Sequence, residues 1–173
     1  IDLYSHKKYI TMNKQNKQRF TDLYLKKQLE NYPSFIGREY AIPPPNLKES
    51  SANDLTRLVI DFIQHNDYQA ERISSQGQYR DNTKIVTDCI GRQRTIGTGV
   101  WTKGSSTKGT ADISSTIKGK SIKIEIKWQK DKQSDDQKKY EMAINKAGGI
   151  YIIVKEFDSF IIWYDNFINQ FLF

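Results

Sequence analysis

Asp112, Glu125 and Lys127 are the residues whose types and spacing could carry chemistry. Glu125 and Lys127 sit in a strictly alternating stretch. Ile122, Ile124, Ile126 and Trp128 fall on one face of a strand, and Lys123, Glu125 and Lys127 on the other, because strand side chains repeat every second residue. Just upstream, Lys118-Gly119 suits a two-residue turn, with glycine at a position that needs positive φ. Such a turn pairs Ile117 with Lys120 and, counting back, Asp112 with Glu125. Two carboxylates then stand opposite each other, their Cβ atoms roughly 5 Å apart. Like charges in that position are destabilising by about 3 kcal/mol at an effective dielectric of ~20, and a divalent cation between them reverses the sign. The register decides this: a three-residue turn would set Asp112 opposite Ile126.

A carboxylate, then carboxylate-x-Lys on the adjacent strand, is a site for metal-assisted phosphodiester hydrolysis. The carboxylates would hold Mg²⁺, with Mn²⁺ as a substitute. The cation would polarise a phosphate oxygen and acidify water. Lys127 shares the face of Glu125, so its ammonium could reach the attacking water or the developing charge on phosphorus. The ordinary alternative is an amphipathic hairpin with a solvated charged face, since Glu-x-Lys by itself is common.

Several elements must position these groups. Ser51 or Asn53 caps a helix running to about His65, whose Leu55, Leu58, Val59 and Phe62 recur at helical spacing. Asp54 lies in its first turn and complements the helix dipole. Residues 68–74 read as a first strand. Residues 76–108 are rich in Gly, Thr, Arg and Lys and suit a hairpin of 84–90 against 94–101. Arg80, Arg92, Arg94, Lys103 and Lys108 flank the approach to Asp112 and could touch phosphates. Trp101 could stack on a base, although an indole packed in the core or on the hairpin is the commoner arrangement. Ser134-x-x-Gln137 is a capping box opening a helix that ends at Gly148 or Gly149. Residues 150–154 are an uninterrupted apolar run, as in a buried central strand. Asp158-Ser159 reads as a turn into a last strand, 160–164. Phe167, Ile168, Phe171, Leu172 and Phe173 then need cover from the domain or from a second subunit, so a homodimer is one expectation.

Taken in order, Lys108-Gly109-Thr110-Ala111-Asp112, Ile124-Glu125-Ile126-Lys127, Ser134-Asp135-Asp136-Gln137 and Gly148-Gly149 before an apolar strand resemble the VRR-NUC branch of the PD-(D/E)xK nucleases. The resemblance covers roughly residues 53 to 165 and lies in order and spacing. Ala111 stands where that family usually has proline, which leaves the carboxylate in place. The resemblance implies an α/β fold with a restriction-endonuclease-like core, a mixed β-sheet flanked by helices. It implies Asp112 and Glu125 as metal ligands with the Ile126 carbonyl as a third, Lys127 as the catalytic lysine, and Gln137 beside the centre. Arg72 and Ser75-x-Gly77 resemble the family's short basic-polar-Gly segment. Arg72, Ser75, Arg80, Lys108 and Ser134 form the expected nucleic-acid-binding set, and Asp54 is a possible additional acid. The implied activity is Mg²⁺-dependent cleavage of branched or flapped DNA in replication, repair or recombination, in the cytoplasm of a bacterial or phage-infected cell. A catalytically silent DNA-binding module of the same fold, a restriction-type nuclease and an RNA nuclease remain the alternatives.

The chain of 173 residues carries 27 Lys and Arg against 20 Asp and Glu, a net charge of +7 that suits a polyanionic partner. Cys89 has no second cysteine to pair with, which fits a reducing compartment. No apolar run reaches transmembrane length. Residues 1–50 lie outside the resemblance. They are expected to form an extension, with a helix over 15–31 bearing Lys17, Arg19, Lys26 and Lys27, and a linker at Pro43-Pro44-Pro45, ahead of a nuclease domain over 51–173. That first helix either packs on the domain or serves as a DNA-clasping or dimerising arm. Residues 1–12, with His6, read as carrying no fixed structure, and Met12-Asn13-Lys14 would read well as a natural start, with the first eleven residues an extension.

Overall fold

The computed structural model describes residues 12–73, 77–102 and 107–171. Ser75 and Lys103, the first eleven residues with His6, and Leu172 and Phe173 of the apolar tail lie outside them. The described residues form an α/β structure around one mixed sheet. The first helix, α1 (Lys14–Asn31), is capped by the Asn13 side chain, which accepts from the Asn16 N–H. Two short 3₁₀ turns follow, and the Pro43-Pro44-Pro45 stretch belongs to no helix or strand, in keeping with its missing N–H donors. Helix α2 (Ala52–His65) opens on Ser51, whose side chain accepts from the Asp54 N–H.

The main sheet has four strands: β1 (Gln69–Arg72), β6 (Ile113–Ile117), β7 (Lys120–Ile126) and β8 (Ile150–Val154), in that spatial order. The β6–β7 turn is tight: Lys118 and Gly119 both have positive φ, +50° and +74°, the two-residue geometry that matches strand twist. The register is the expected one, with Ile117 opposite Lys120 and Ile113 opposite Ile124. Strand β8 runs parallel to β7, so the chain must cross over between them. Helix α3 (Asp135–Lys146) makes that crossover, opening on the capping box of Ser134 and Gln137.

One face of the sheet packs on α2. Ile113, Ile117, Ile122 and Ile124 are fully buried with Leu55, Leu58, Val59, Phe62 and Ile63 in one cluster. The expected strand at 160–164 is instead part of helix α4 (Phe157–Asn169). Phe157, Phe160, Ile161, Tyr164 and Phe167 are all buried at i, i+3, i+4, i+7 and i+10, so helical periodicity overrides the strand preference of the aromatic residues. Asp158-Ser159 is the first turn of this helix rather than a loop. The Asp158 carboxylate is held by the Asn13 N–H and the Asn16 side chain, which ties α1 to α4. The tail residue Phe167 therefore reaches the core of its own domain, stacked on Trp163.

The N-terminal helix also shares this core. Phe20 packs on the rings of Phe62 and Phe157, and Arg19 makes a two-pronged ion pair with Asp165 at 2.8 and 2.7 Å. Glu49, at the end of the linker, is buried and accepts from the Phe157 N–H, capping α4 from far away in sequence. No helix among the described residues is long and apolar enough to cross a membrane.

Candidate active site

The opposite face of the sheet carries Lys123 and Glu125 of β7 and, one residue past the strand, Lys127; α3 covers it, with Tyr140 of the helix edge-on to Tyr151 of β8. Glu125 is 2% exposed and Lys127 8% exposed. The solvated charged face of an ordinary hairpin is therefore absent at these two positions. A carboxylate and an ammonium this deep persist only when paired and hydrogen-bonded. The Lys127 ammonium lies 2.9 Å from Glu125 Oε1 and donates to Gln137 Oε1 at 2.9 Å. The Gln137 amide donates in turn to Glu125 Oε1, and its Oε1 also accepts from the Ser134 N–H at 2.8 Å. Gln137 thus serves the helix cap and the charged pair with one side chain.

Asp112 lies just before β6, and extending the ladder by one residue sets it opposite Glu125. Its Oδ2 accepts from the Ile126 N–H at 2.9 Å. Its own carbonyl accepts from the Ile73 N–H, fastening it to the end of β1. The second oxygen, Oδ1, has no hydrogen-bond partner among the described residues. Burial pushes the Glu125 carboxyl above the usual glutamate range; the Lys127 bond opposes this, and the charge of Asp112 adds to it. The repulsion foreseen across the hairpin is thus present, but it is smaller than either the burial or the lysine effect.

Tyr151 is the member of this cluster that the sequence reading missed. Its hydroxyl donates to Glu125 Oε2 at 3.4 Å, a long bond. Burial, with the charge of Glu125, pushes its phenol well above the usual tyrosine range, so it stays a donor. The available signal was a single hydroxyl within the aliphatic run 150–154, since a buried tyrosine generally finds a partner for it.

Gly109 brings the segment before Asp112 against α3. It has φ +76°, and an added Cβ would lie 2.3 Å from the Asp136 carbonyl carbon and 2.6 Å from the Gln137 nitrogen. Gly109→Ala therefore meets backbone on one side and a left-handed conformation on the other, which alone costs about 1–2 kcal/mol. The N-terminus of α3 must shift, carrying Gln137 with it. The expected result is a lower melting temperature together with a greater fall in any catalytic activity than that stability loss explains. Circular dichroism melts run beside activity assays check it.

The other expected residues are spread around this centre. Arg72 ends β1 beside Ile113, and its guanidinium donates to Asn53 on α2 at 2.8 Å. Lys108 is exposed next to Gly109. Ser134 caps α3. Arg80 lies on a separate two-stranded ribbon. Asp54 accepts from the Ser50 N–H and hydroxyl, and these bonds hold its carboxyl below the usual aspartate range. It is engaged in capping α2. Trp101 is 67% exposed, so it is no core indole.

Two carboxylates with a free oxygen and a weakly held one suit Mg²⁺, which takes one or two carboxylates and completes its shell with water and substrate phosphate. Among the described residues no group of three or more His, Cys, Asp and Glu is placed to hold a metal ion. Asp112 Oδ1, Glu125 Oε2 and the Ile126 carbonyl are the oxygens that would hold one. No protein-family model matches this chain, and no curated protein matches it significantly, so the chemistry of the site is argued from its own residues.

Proposed function

We propose that the protein is a metal-dependent nuclease that hydrolyses DNA phosphodiester bonds on a restriction-endonuclease-like core. The observation that carries this reading is the buried Glu125–Lys127–Gln137 network with Asp112 across the hairpin. A structural hairpin gains nothing from burying that network, because apolar residues of similar volume would be at least as stable there. Mg²⁺ bound by Asp112 and Glu125 would supply Lewis-acid polarisation of the phosphate and a more acidic water.

The chain supplies the rest. Lys127 cannot swing freely: Glu125 and Gln137 hold its ammonium, leaving a proton to donate toward attacking water or a developing oxyanion. Gln137 keeps that ammonium aimed while its amide donates a hydrogen bond to the same Glu125 oxygen. Tyr151 limits rotation of the Glu125 carboxylate from the other side. Asp112 is anchored through Oδ2 to the Ile126 N–H, and its Oδ1 has no hydrogen-bond partner among the described residues. Flap or branched DNA is the proposed substrate, with Mn²⁺ able to replace Mg²⁺.

Labelled flap, four-way junction, duplex, single-stranded DNA and RNA of matched sequence, each incubated with Mg²⁺, Mn²⁺ or EDTA, test the reading. Cleavage of a branched DNA that requires the cation supports it. Preference for RNA moves the substrate assignment. Binding without cleavage under every cation makes the chain a silent binding module.

A further inference from the structure

Between β1 and β6, at the end of the sheet where Asp112 lies, the chain leaves the core as a two-stranded ribbon. Strand β2 (Gln78–Asp81) pairs with β5 (Gly99–Thr102), and β3 (Lys84–Thr87) with β4 (Gln93–Ile96). Gln78 faces Thr102 and Lys84 faces Ile96, so both ladders share one register across the short break between them. The ribbon spans roughly 30 Å from Gln78 to Thr87 at about 3.3 Å per residue. Its tip is tied down: the Asp88 carboxylate accepts from the Ile90 and Arg92 N–H groups at 3.0 and 2.8 Å.

No residue of β3 or β4 is covered by the domain. A lone two-stranded ribbon is marginal in water, and this one exposes Ile85, Val86, Ile96 and Val100. Strand parity sorts its side chains into two unlike faces. Lys84 and Arg94 share one face of the β3–β4 ladder with their cross-strand partners Ile96 and Val86, and Arg80 takes the same-parity position opposite Val100 on β2–β5. Neither ladder has a carboxylate at these positions, and Asp88, which follows the same parity one residue beyond β3, has its carboxylate engaged by the N–H groups of the tip turn. Along the ribbon the three cations are spaced by about 13 and 7 Å, close to four and two base-pair rises of about 3.4 Å. The aromatic pair Tyr79 and Trp101 is on the other face, where each ring crosses a glycine: an added Cβ at Gly99 or Gly77 would strike them.

A single strand is held chiefly by stacking on aromatic rings, and the cationic face has none. Cations alternating with aliphatic residues on a ribbon narrow enough for the major groove suit a duplex, its phosphates, base edges and thymine methyls. We propose that residues 77–102 form a duplex-binding arm, laying the Arg80–Lys84–Arg94 face on the DNA helix flanking the cleavage site. The proposal rests on the nuclease reading for its substrate. The arm then gives branched-DNA recognition a physical basis, because one duplex arm of the junction is gripped while the scissile strand enters beside Asp112.

Binding measured in EDTA separates the two ideas, since no cleavage is needed. The R80A/K84A/R94A variant should lower the slope of log affinity against log salt by about 2 to 3, since each lost phosphate contact removes ~0.9. The wild type should bind longer duplexes more tightly up to about nine base pairs beyond the branch, the reach of the arm at ~3.4 Å per pair. Cys89, exposed at the tip and without a second cysteine in the chain, accepts a photocrosslinker on the unmodified sequence. It should crosslink to the flanking duplex. An unchanged salt slope with no crosslink, or equal binding of single strands of the same length, overturns the arm. Arm-dependent duplex binding without Mg²⁺-dependent cleavage overturns the nuclease reading alone.

Discussion

Lys127→Ala is expected to cut cleavage about a thousandfold, the scale of losing one preorganised electrostatic donor. It should also leave a signature in stability that does not depend on activity. Lys127 is the cation that compensates the buried Glu125. Removing one partner of a buried pair costs about 3 kcal/mol while the other stays charged. The sign with pH follows from the Glu125 carboxyl, which burial already raises above its ordinary 4.5. A carboxyl raised in the folded state favours folding below pH 4.5, where it is neutral in both states. That advantage is lost as pH rises through the folded value. Without Lys127 the folded value climbs further. The deficit of the variant relative to wild type should therefore be small near pH 4 and widen from pH 4.5 upward. Denaturant melts of both proteins across pH 4 to 8 measure it. A deficit of constant size would mean that Lys127 acts by packing, and the charged pair would lose its place at the centre.

The hairpin carrying this pair was legible because short-range rules determine it. Strict alternation fixed the faces, and Lys118-Gly119 favoured a two-residue turn over the three-residue one; the structure has the two-residue turn, and extending its register sets Asp112 opposite Glu125. The capping box likewise placed Gln137 at the third residue of α3, and the structure uses the same atom for the cap and for Lys127. Burial was less legible. Nothing within residues 120–128 reveals that α3 will fold over Glu125 and Lys127, since that depends on the crossover and on Gly109 admitting the backbone of α3.

The misread segments share a cause. Phe160, Ile161, Ile162, Trp163 and Tyr164 form a run with no polar gaps, so periods of 2 and 3.6 are hard to tell apart over five residues. The longer window from Phe157 to Phe167 separates them, because only a helix buries its alternate threes and fours. In β8 the same uniformity hid Tyr151, whose contact with Glu125 depends on strand pairing at long range. Only the outer half of the ribbon was visible as a hairpin of 84–90 against 94–101: its strands are shorter, 84–87 and 93–96, and 99–102 pairs instead with 78–81, which was not read as a strand. The ribbon's two faces became distinct only once the register was known, because a shift of one residue would mix Asp81 with the cations.

Asp112→Asn is expected to abolish cleavage and to abolish the response of the fold to Mg²⁺. Wild type should gain about 2.7 kcal/mol at a hundred times the dissociation constant, by mass action on the native state. The variant keeps the size of the side chain and can still accept from the Ile126 N–H. In EDTA two effects then oppose each other. A neutral acceptor weakens that hydrogen bond by about 1 kcal/mol. Loss of the Asp112 charge relieves repulsion on Glu125, by a similar amount after solvent screening. Near neutral pH the variant should lie within about 1 kcal/mol of wild type. At pH 4 Glu125 is protonated, no repulsion remains to be relieved, and the variant should fall below wild type. Melting curves of both proteins at pH 4 and pH 8, with EDTA and with Mg²⁺, resolve the terms. A variant equally unstable at both pH values would leave Asp112 with only its hydrogen bond to Ile126. A variant still stabilised by Mg²⁺ would remove the hairpin carboxylates from the metal site altogether.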